Sequence, residues 1–202
     1  MVQASTLERP APAKRRLTYE EFLALDGDPH QEWVNGEAVR MPSVGHIHSE
    51  ITGFLIALLW ATITDERLGR VFFNPFNIHL GGVGRAPDVT VVLNEHLDRV
   101  RLNYLEGPPD IAIEVISPGG GARDRVEKFA EYEAGGVREY WLIDPQTETA
   151  EFYVLGADGR YGEVVAGEWF ASTVVAGLRV KPAWFWERPT VKRALAEMAA
   201  RE

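Results

Sequence analysis

Asp110-Ile-Ala-Ile-Glu-Val-Ile-Ser117 is the stretch around which the rest of the chain can be arranged. It is apolar almost throughout, which is typical of a β-strand that is buried on both faces. Glu114 interrupts the run near its end. Because a buried carboxylate is costly unless a cation, a donor or water lies beside it, the stretch predicts a central strand and a polar site at its end.

A second apolar run, Asp88-Val-Thr-Val-Val-Leu93, carries an acid at its start. Two acids on neighbouring strands can bind a hard divalent cation through their oxygens. Alternatively, each acid marks a strand end and meets solvent or an arginine. Lys128 follows on a predicted helix, and the two acids together with this lysine favour a site over that alternative.

Turn and capping signals predict hairpins and helices on both sides of these strands. Thr18-Tyr-Glu-Glu21 has the form of a capping box and predicts a short helix that begins there. Asn35-Gly36 and Asp158-Gly159 predict β-hairpins, the first with Glu37 at the start of its second strand. Apolar spacing and capping residues predict longer helices over about residues 46–63, 124–134 and 190–201.

Further extended stretches complete the predicted sheet. Residues 71–80 form one strand or two short ones interrupted at Pro75, and Gly81-Gly-Val-Gly84 is a turn. Residues 139–145 follow a helix and are expected to pair in parallel with the central strand through a right-handed crossover. The order of elements predicts an α/β (α+β) fold, in which a mixed β-sheet core is flanked by helices and joined by additional β-hairpins.

Composition bounds the number of domains and the location of the protein. With 202 residues, 46% of them hydrophobic, residues 17–202 suit a single domain, whereas residues 1–16 are rich in Ala and Pro and predict a disordered tail. The absence of cysteine excludes disulfides, thiolate zinc sites and cysteine nucleophiles. The longest apolar stretch, residues 51–63, is too short to span a bilayer, so we expect a soluble cytoplasmic protein with no membrane partner.

An ordered set of motifs carries a resemblance to a known family. These are Val34-Asn-Gly-Glu37, His48, Pro87-Asp88-Val-Thr-Val-Val92, Ile113-Glu-Val-Ile-Ser-Pro118, Arg123-Asp-Arg-Val-Glu-Lys128, Tyr132 and Val137-Arg-Glu-Tyr-Trp-Leu-Ile-Asp-Pro145. Together they resemble the PD-(D/E)XK restriction-endonuclease-like superfamily and, more closely, the Uma-type family of restriction endonucleases. The resemblance covers about residues 17–187 and implies a restriction-endonuclease-like fold.

The lysine is where the chain departs from the superfamily pattern. A lysine is expected two residues after Glu114, but that position holds Ile116. The resemblance implies that the lysine comes instead from the following helix, with Lys128 as the matching candidate. In an ideal helix Asp124 and Lys128 share one face, whereas Val126, Phe129 and Ala130 point elsewhere, toward the core. On spacing alone, an i,i+4 salt bridge between Asp124 and Lys128 is the alternative.

The resemblance implies a metal-dependent endodeoxyribonuclease. Hydrolysis of a phosphodiester requires that the negative charge of the phosphate be offset and that a water become nucleophilic, and Mg²⁺ or Mn²⁺ does both. Asp88 and Glu114 would supply carboxylate ligands, with the Val115 carbonyl as a third. Lys128 would orient the attacking water or stabilise the transition state.

Other residues are accessory candidates with simpler alternatives. Glu37 is implied by the resemblance to approach the same cleft, or else it is an exposed strand residue. His48 could contact a phosphate or polarise a water, or be polar surface, and His46 has the same ambiguity with less support. Arg123 and Arg125 follow a glycine-rich loop where DNA phosphates would lie, or they are simply solvated.

Three functions compete at this stage. A metal-dependent DNA nuclease leads, and a non-catalytic scaffold that binds nucleic acid or protein is the alternative, since one fold hosts many functions. A hydrolase for another phosphate or sugar substrate has no supporting motif. The formal charge of −9 argues against coating nucleic acid through charge alone. Trp184, Phe185 and Trp186 could form a homodimer contact, with core packing as the alternative.

Overall fold

A computed structural model describes residues 15–26, 30–41, 43–117, 121, 123–164 and 166–200. The strands, in chain order, are β1 Gln31–Val34, β2 Glu37–Arg40, β3 Gly69–Phe73, β4 Asn77–His79, β5 Val83–Arg85, β6 Val89–Leu93, β7 Tyr104–Glu106, β8 Ile111–Val115, β9 Glu139–Asp144, β10 Thr149–Leu155, β11 Tyr161–Val164, β12 Phe170–Ala171 and β13 Arg179–Val180. The helices are α1 Tyr19–Leu23, α2 His46–Leu59, α3 Phe129–Gly135, α4 Trp184–Glu187 and α5 Val191–Ala199. Most of the predicted tail, residues 1–14, and residues 118–120 of the glycine-rich loop lie outside the described residues.

Three shorter helical segments join these elements. A π-helical turn, Trp60–Thr64, continues α2, and a second, Arg123–Lys128, leads into α3. A 3-10 helix, Asn94–Arg99, follows β6. The predicted helix 124–134 is therefore present, and it ends as expected at Gly136, whose φ of 84° suits a glycine C-cap.

The larger sheet has six strands in the order β11-β10-β9-β8-β6-β3. The β8 strand, which contains Glu114, lies at its centre and pairs in parallel with β9, so the predicted parallel pairing is confirmed. The other pairs are antiparallel. The β3 strand occupies one edge of the sheet.

Both faces of this sheet are covered, which explains the unbroken apolar runs. On β8, Ile111, Ile113 and Val115 join a core built with α2, α4 and α5, whereas Ala112 belongs to a second core with Tyr132 of α3. The alternation follows from the pleat of a strand, in which successive side chains point to opposite faces.

Side chains of α2 and α4 fill the first of these cores. One continuous helix, His46–Thr64, is long and apolar enough to cross a membrane by length and composition, but Leu55, Leu58 and Leu59 are fully buried inside the protein. Trp184 and Phe185 are also buried there and Trp186 is partly buried against the same core, in agreement with the predicted alternative of core packing.

The smaller sheet has five strands in the order β2-β1-β5-β4-β7. The capping box at Thr18 and the hairpin around Asn35-Gly36 are present as predicted. The stretch 71–80 forms two strands, β3 and β4, which belong to different sheets. The prediction of a turn over residues 81–84 was wrong at its end, because Val83 and Gly84 pair with β1 as part of β5.

Candidate active site

A cavity of about 340 Å³ opens where the two sheets approach the start of α2. Its wall includes the predicted residues Asp88, Glu114, Val115 and Lys128. The structure therefore brings the four residues together from three elements. Asp88 directly precedes β6, Glu114 and Val115 lie on β8, and Lys128 ends the helical turn before α3.

The pairing of β6 with β8 explains why the two acids converge. The strands are antiparallel, with Val89 opposite Ile113, and one step further along this register places Asp88 opposite Glu114. Residues opposite each other in an antiparallel pair project from the same face of a sheet. The Val115 N–H donates a hydrogen bond to Asp88 Oδ2 at 2.8 Å, which fixes the carboxylate at the end of β8.

Glu114 is held by two donors from the helical segment that follows. Lys128 Nζ lies 2.8 Å from Glu114 Oε1, and the Tyr132 hydroxyl donates to the same oxygen at 2.7 Å. Lys128 also lies 3.1 Å from Asp124 Oδ1, so the i,i+4 salt bridge and the contact with Glu114 are both present. The side chains of Glu114 and Lys128 are almost completely buried.

The expected position of Val126 in the core was wrong. Its side chain is 67% exposed, because the π-helical turn directs Asp124 and Lys128 inward and leaves Val126 on the solvent side. Phe129 is partly buried against the second core, beside Tyr153 and Tyr161, whereas Ala130 is exposed and its expected place in the core was also wrong.

Burial and neighbouring charges shift the pKa values of both Glu114 and Lys128. Burial, with further contributions from Asp124, Asp88 and Glu32, outweighs Lys128 and raises the pKa of Glu114 to about 8. Burial would lower the pKa of Lys128, but the three carboxylates of Glu114, Glu32 and Asp124 outweigh it, so that pKa is raised and the ammonium stays charged. The site thus holds a fixed cation beside several acidic side chains, of which Glu114 gives up its proton less readily than an ordinary glutamate.

Glu32 is a site residue that the sequence did not identify. It is fully buried on β1, lines the cleft, and accepts a hydrogen bond from Arg85 Nη1 at 3.0 Å. Its Oε1 lies 3.6 Å from Lys128 Nζ, and Arg123 also binds its carboxylate. Glu32 therefore connects the smaller sheet to the lysine of the site.

Arg85 is the buried arginine that holds Glu32 in place. Its guanidinium is fully buried and binds Glu131 through two hydrogen bonds, of 2.6 and 2.7 Å, in addition to Glu32. A paired arrangement of this kind compensates for the cost of burying an arginine. Glu131 lies on α3, so Arg85 joins β5 to the helix that follows Lys128.

His48 lies within the cleft rather than on the surface. Its Nε2 is 3.0 Å from Asp88 Oδ2, and its Nδ1 is 3.4 Å from the Thr52 hydroxyl one turn later in α2. The ring is nearly buried. His48 is therefore positioned to orient Asp88, whereas His46 is exposed and does not line the cleft.

Two predicted residues are not brought to the cleft. Glu37 is exposed at the turn end of β2, opposite Val34, two residues along the hairpin from the position of Glu32. Arg125 lies outside the cleft and pairs with Asp144 at 3.2 Å and Glu151 at 2.9 Å.

Arg123 does line the cleft, but it is already engaged by carboxylates. Its guanidinium binds Glu32 and lies 3.9 Å from Glu127. A role for Arg123 in holding a DNA phosphate stays a prediction, because such a role would require this pairing to be shared or exchanged.

Two carboxylate oxygens in the cleft are suited to binding a hard cation. Asp88 uses Oδ2 for its contacts and Glu114 uses Oε1, and within the described part of the chain neither Asp88 Oδ1 nor Glu114 Oε2 accepts a hydrogen bond. Neither atom is among the sealed polar atoms that lack a partner. Carboxylate and carbonyl oxygens are the ligands that Mg²⁺ and Mn²⁺ prefer.

A separate group, Glu95, His96 and Asp110, also has its ligand atoms within 4.8 Å of one another. Its contacts are better explained without a metal. Both oxygens of Asp110 are used, one by the Leu93 N–H at 2.7 Å and the other by His96 and Arg138. The positive charge of Arg138 would repel a metal cation bound at this position.

Comparison with known proteins agrees with this architecture. The chain matches the model of the Uma2 family, described as "Putative restriction endonuclease", over residues 19–182. Its fold is similar to "a putative nuclease belonging to DUF820 from Anabaena variabilis ATCC 29413", with a TM-score of 0.71 and 20% sequence identity over 85% of this chain and 98% of that chain. This likeness confirms the predicted fold class. No curated protein matches the chain.

Proposed function

This chain belongs to the Uma2 family, and from that membership and the geometry of its cleft we propose that it is a metal-dependent DNA endonuclease. The proposed enzyme is soluble and cytoplasmic and hydrolyses phosphodiester bonds with Mg²⁺ or Mn²⁺. One observation carries the proposal: the carboxylates of Asp88 and Glu114 lie in one cleft beside the ammonium of Lys128.

Asp88, Glu114 and the Val115 carbonyl would hold the cation. Two carboxylates are sufficient, because Mg²⁺ keeps several waters and uses few protein ligands. When bound, the ion supplies a Lewis acid for the phosphate and lowers the pKa of a water. The open oxygens of Asp88 and Glu114 support this assignment, since each carboxylate is fixed through its other oxygen.

The surrounding residues hold this arrangement in place. Lys128 stays charged and donates a hydrogen bond to a phosphate oxygen or to the attacking water. Negative charge develops at these oxygens in the transition state. Tyr132 orients Glu114, and His48 orients Asp88. Glu32 and Asp124 hold the lysine on its other sides.

A non-catalytic scaffold remains the second candidate because of one specific observation. Lys128 and Arg123, the lysine and arginine among the described residues that line the cleft, are both paired with carboxylates. Such a cleft attracts a phosphate less strongly than one with unpaired cations. The scaffold would bind nucleic acid or a partner protein without cleaving it.

Calorimetric titration of Mn²⁺ and cleavage of plasmid DNA test the proposal together. Asp88→Asn should abolish both metal binding and cleavage, whereas Asp98→Asn, which changes an exposed aspartate on the 3-10 helix, should leave both unchanged. Unaltered metal binding in Asp88→Asn would remove the proposed site. Intact metal binding with no cleavage of single- or double-stranded DNA would favour the scaffold.

A further inference from the structure

A second groove, of about 460 Å³, runs beside β3 at the edge of the larger sheet. Trp60, from the π-helical turn that continues α2, lines it together with Phe72 and Phe76. Phe73 lines both this groove and the candidate active site. The two cavities are therefore neighbours that share one aromatic side chain.

The aromatic side chains of the groove are unusually accessible. Trp60 is 45% exposed and Phe73 is 48% exposed, whereas the chain's other large aromatics are mostly buried in the two cores. Phe72 and Phe76 stack on each other with their ring centroids 4.4 Å apart. Exposed aromatics gathered around one groove indicate a binding surface, in contrast to apolar residues scattered singly.

The charge of the groove is positive. The side chain of Arg70 is exposed on β3 and makes no ion pair or hydrogen bond within the described residues, whereas its backbone pairs with Val92 of β6. It is the one charged residue among those that line the groove in this part of the chain. Asp65 and Glu66 follow Trp60 closely in sequence, but neither lines the groove.

The groove leads directly to the candidate metal site. Phe73 pairs with Val89, and the N–H of Asn74 donates to the Asp88 carbonyl at 3.3 Å. Phe73 and Arg70 lie three residues and about 10 Å apart on β3, so their side chains project to opposite faces of the sheet. Because β3 is an edge strand, a nucleic-acid strand that crosses this edge could meet Phe73, next to Asp88, on one face and Arg70 on the other.

We propose that this groove binds single-stranded DNA, with unpaired bases stacked on Trp60 and Phe73 and a phosphate held by Arg70. Aromatic platforms with a few cations are the usual means of binding single strands, because every base has a π-face. A duplex hides those faces and presents phosphates, for which one arginine is a poor match. The inference deepens the proposed function, because it names an unpaired strand as the substrate that reaches Asp88.

Binding of a fluorescein-labelled oligothymidylate, followed by anisotropy in EDTA, tests the groove apart from any cleavage. Trp60→Ala should weaken binding about fivefold or more, and Trp60→Phe should restore most of it. Arg70→Ala should weaken binding and flatten its dependence on salt. Arg160→Ala is the charge-matched control, because Arg160 lies at the opposite edge of the sheet in the β10–β11 loop.

Two outcomes would overturn the inference. One is binding within twofold of wild type in both Trp60→Ala and Arg70→Ala, while circular dichroism shows that the variants are folded. The other is a wild-type dimer, measured by light scattering, that becomes a monomer in Trp60→Ala, since the groove would then be a contact between two copies. Selective loss of binding in the variants supports the groove even when plasmid cleavage fails and the proposed nuclease is rejected.

Discussion

Lys128 Nζ lies 2.8 Å from Glu114 Oε1, although fourteen positions of chain separate the two residues. The ammonium thus reaches the acid from the helical segment after β8, and not from the strand itself. The strand position where a lysine was expected, Ile116, is buried in the second core. Ile116 packs into that core and does not line the cleft, and the π-helical turn supplies the cation instead.

Lys128→Met should reduce DNA cleavage by about 100- to 1,000-fold, because this is the usual cost of removing one hydrogen-bond donor that stabilises charge in a transition state. Mn²⁺ binding should persist, because Asp88 and Glu114 remain. Single-turnover cleavage and calorimetry on the same preparation separate these effects. Lys192→Met, at an exposed lysine of α5, is the matched control. Cleavage at the wild-type rate in Lys128→Met would remove the lysine from the mechanism.

The sequence predicted the part of the site that local pattern can specify. Apolar runs identify the strands that carry Asp88 and Glu114, and the antiparallel register then brings the two acids together. The catalytic and metal-binding roles of these residues, and the division into a tail and one domain, stay predictions.

Glu32 could not be found in this way. Its partners Arg85 and Arg123 lie 53 and 91 positions further along the chain, so nothing near Glu32 in sequence marks it as buried. Glu37 was favoured because it follows a turn signal and matches a family motif. Both acids lie on the same face of the hairpin, because Glu37 is opposite Val34 and Val34 is two residues from Glu32, so local pattern gave no means of deciding which of them reaches the cleft.

His48→Ala should weaken Mn²⁺ binding or cleavage by about 10- to 100-fold, because the ring orients Asp88 through a 3.0 Å contact. His46→Ala is the matched control, since His46 lies two positions before His48 on the same helix but is exposed. Calorimetry and cleavage assays measure both variants. Equal effects of the two substitutions would show that His48 does not act through Asp88.

Tyr132→Phe should lower cleavage by about tenfold while the fold is retained, because it removes the hydroxyl that fixes Glu114. The loss of one buried hydrogen bond should also lower the free energy of unfolding by about 1 kcal/mol. Tyr153→Phe removes a hydroxyl that binds Glu151, away from the cleft, and should not change cleavage. Reduced cleavage in both variants would point to a general loss of stability.

Glu32→Gln should destabilise the protein by about 1–3 kcal/mol at pH 7, because a buried carboxylate loses its charge beside three cations. Burial alone would raise the pKa of Glu32, but Lys128, Arg85 and Arg123 outweigh it and lower that pKa below its ordinary value of 4.5. The folded protein therefore binds this proton less readily than the unfolded chain. Its contribution to stability is complete above pH 4.5 and is lost as the pH falls through the folded pKa.

Urea unfolding at a series of pH values from 7 to 3 measures this contribution as the difference between wild type and Glu32→Gln. The difference should be constant down to about pH 4.5 and shrink below it, because protonation makes the wild-type side chain neutral as well. Glu20→Gln, at an exposed carboxyl of α1, should show no such difference. A difference that stays constant or grows in acid would mean that the three cations do not hold Glu32 ionised, and that its place beside Lys128 contributes packing rather than charge.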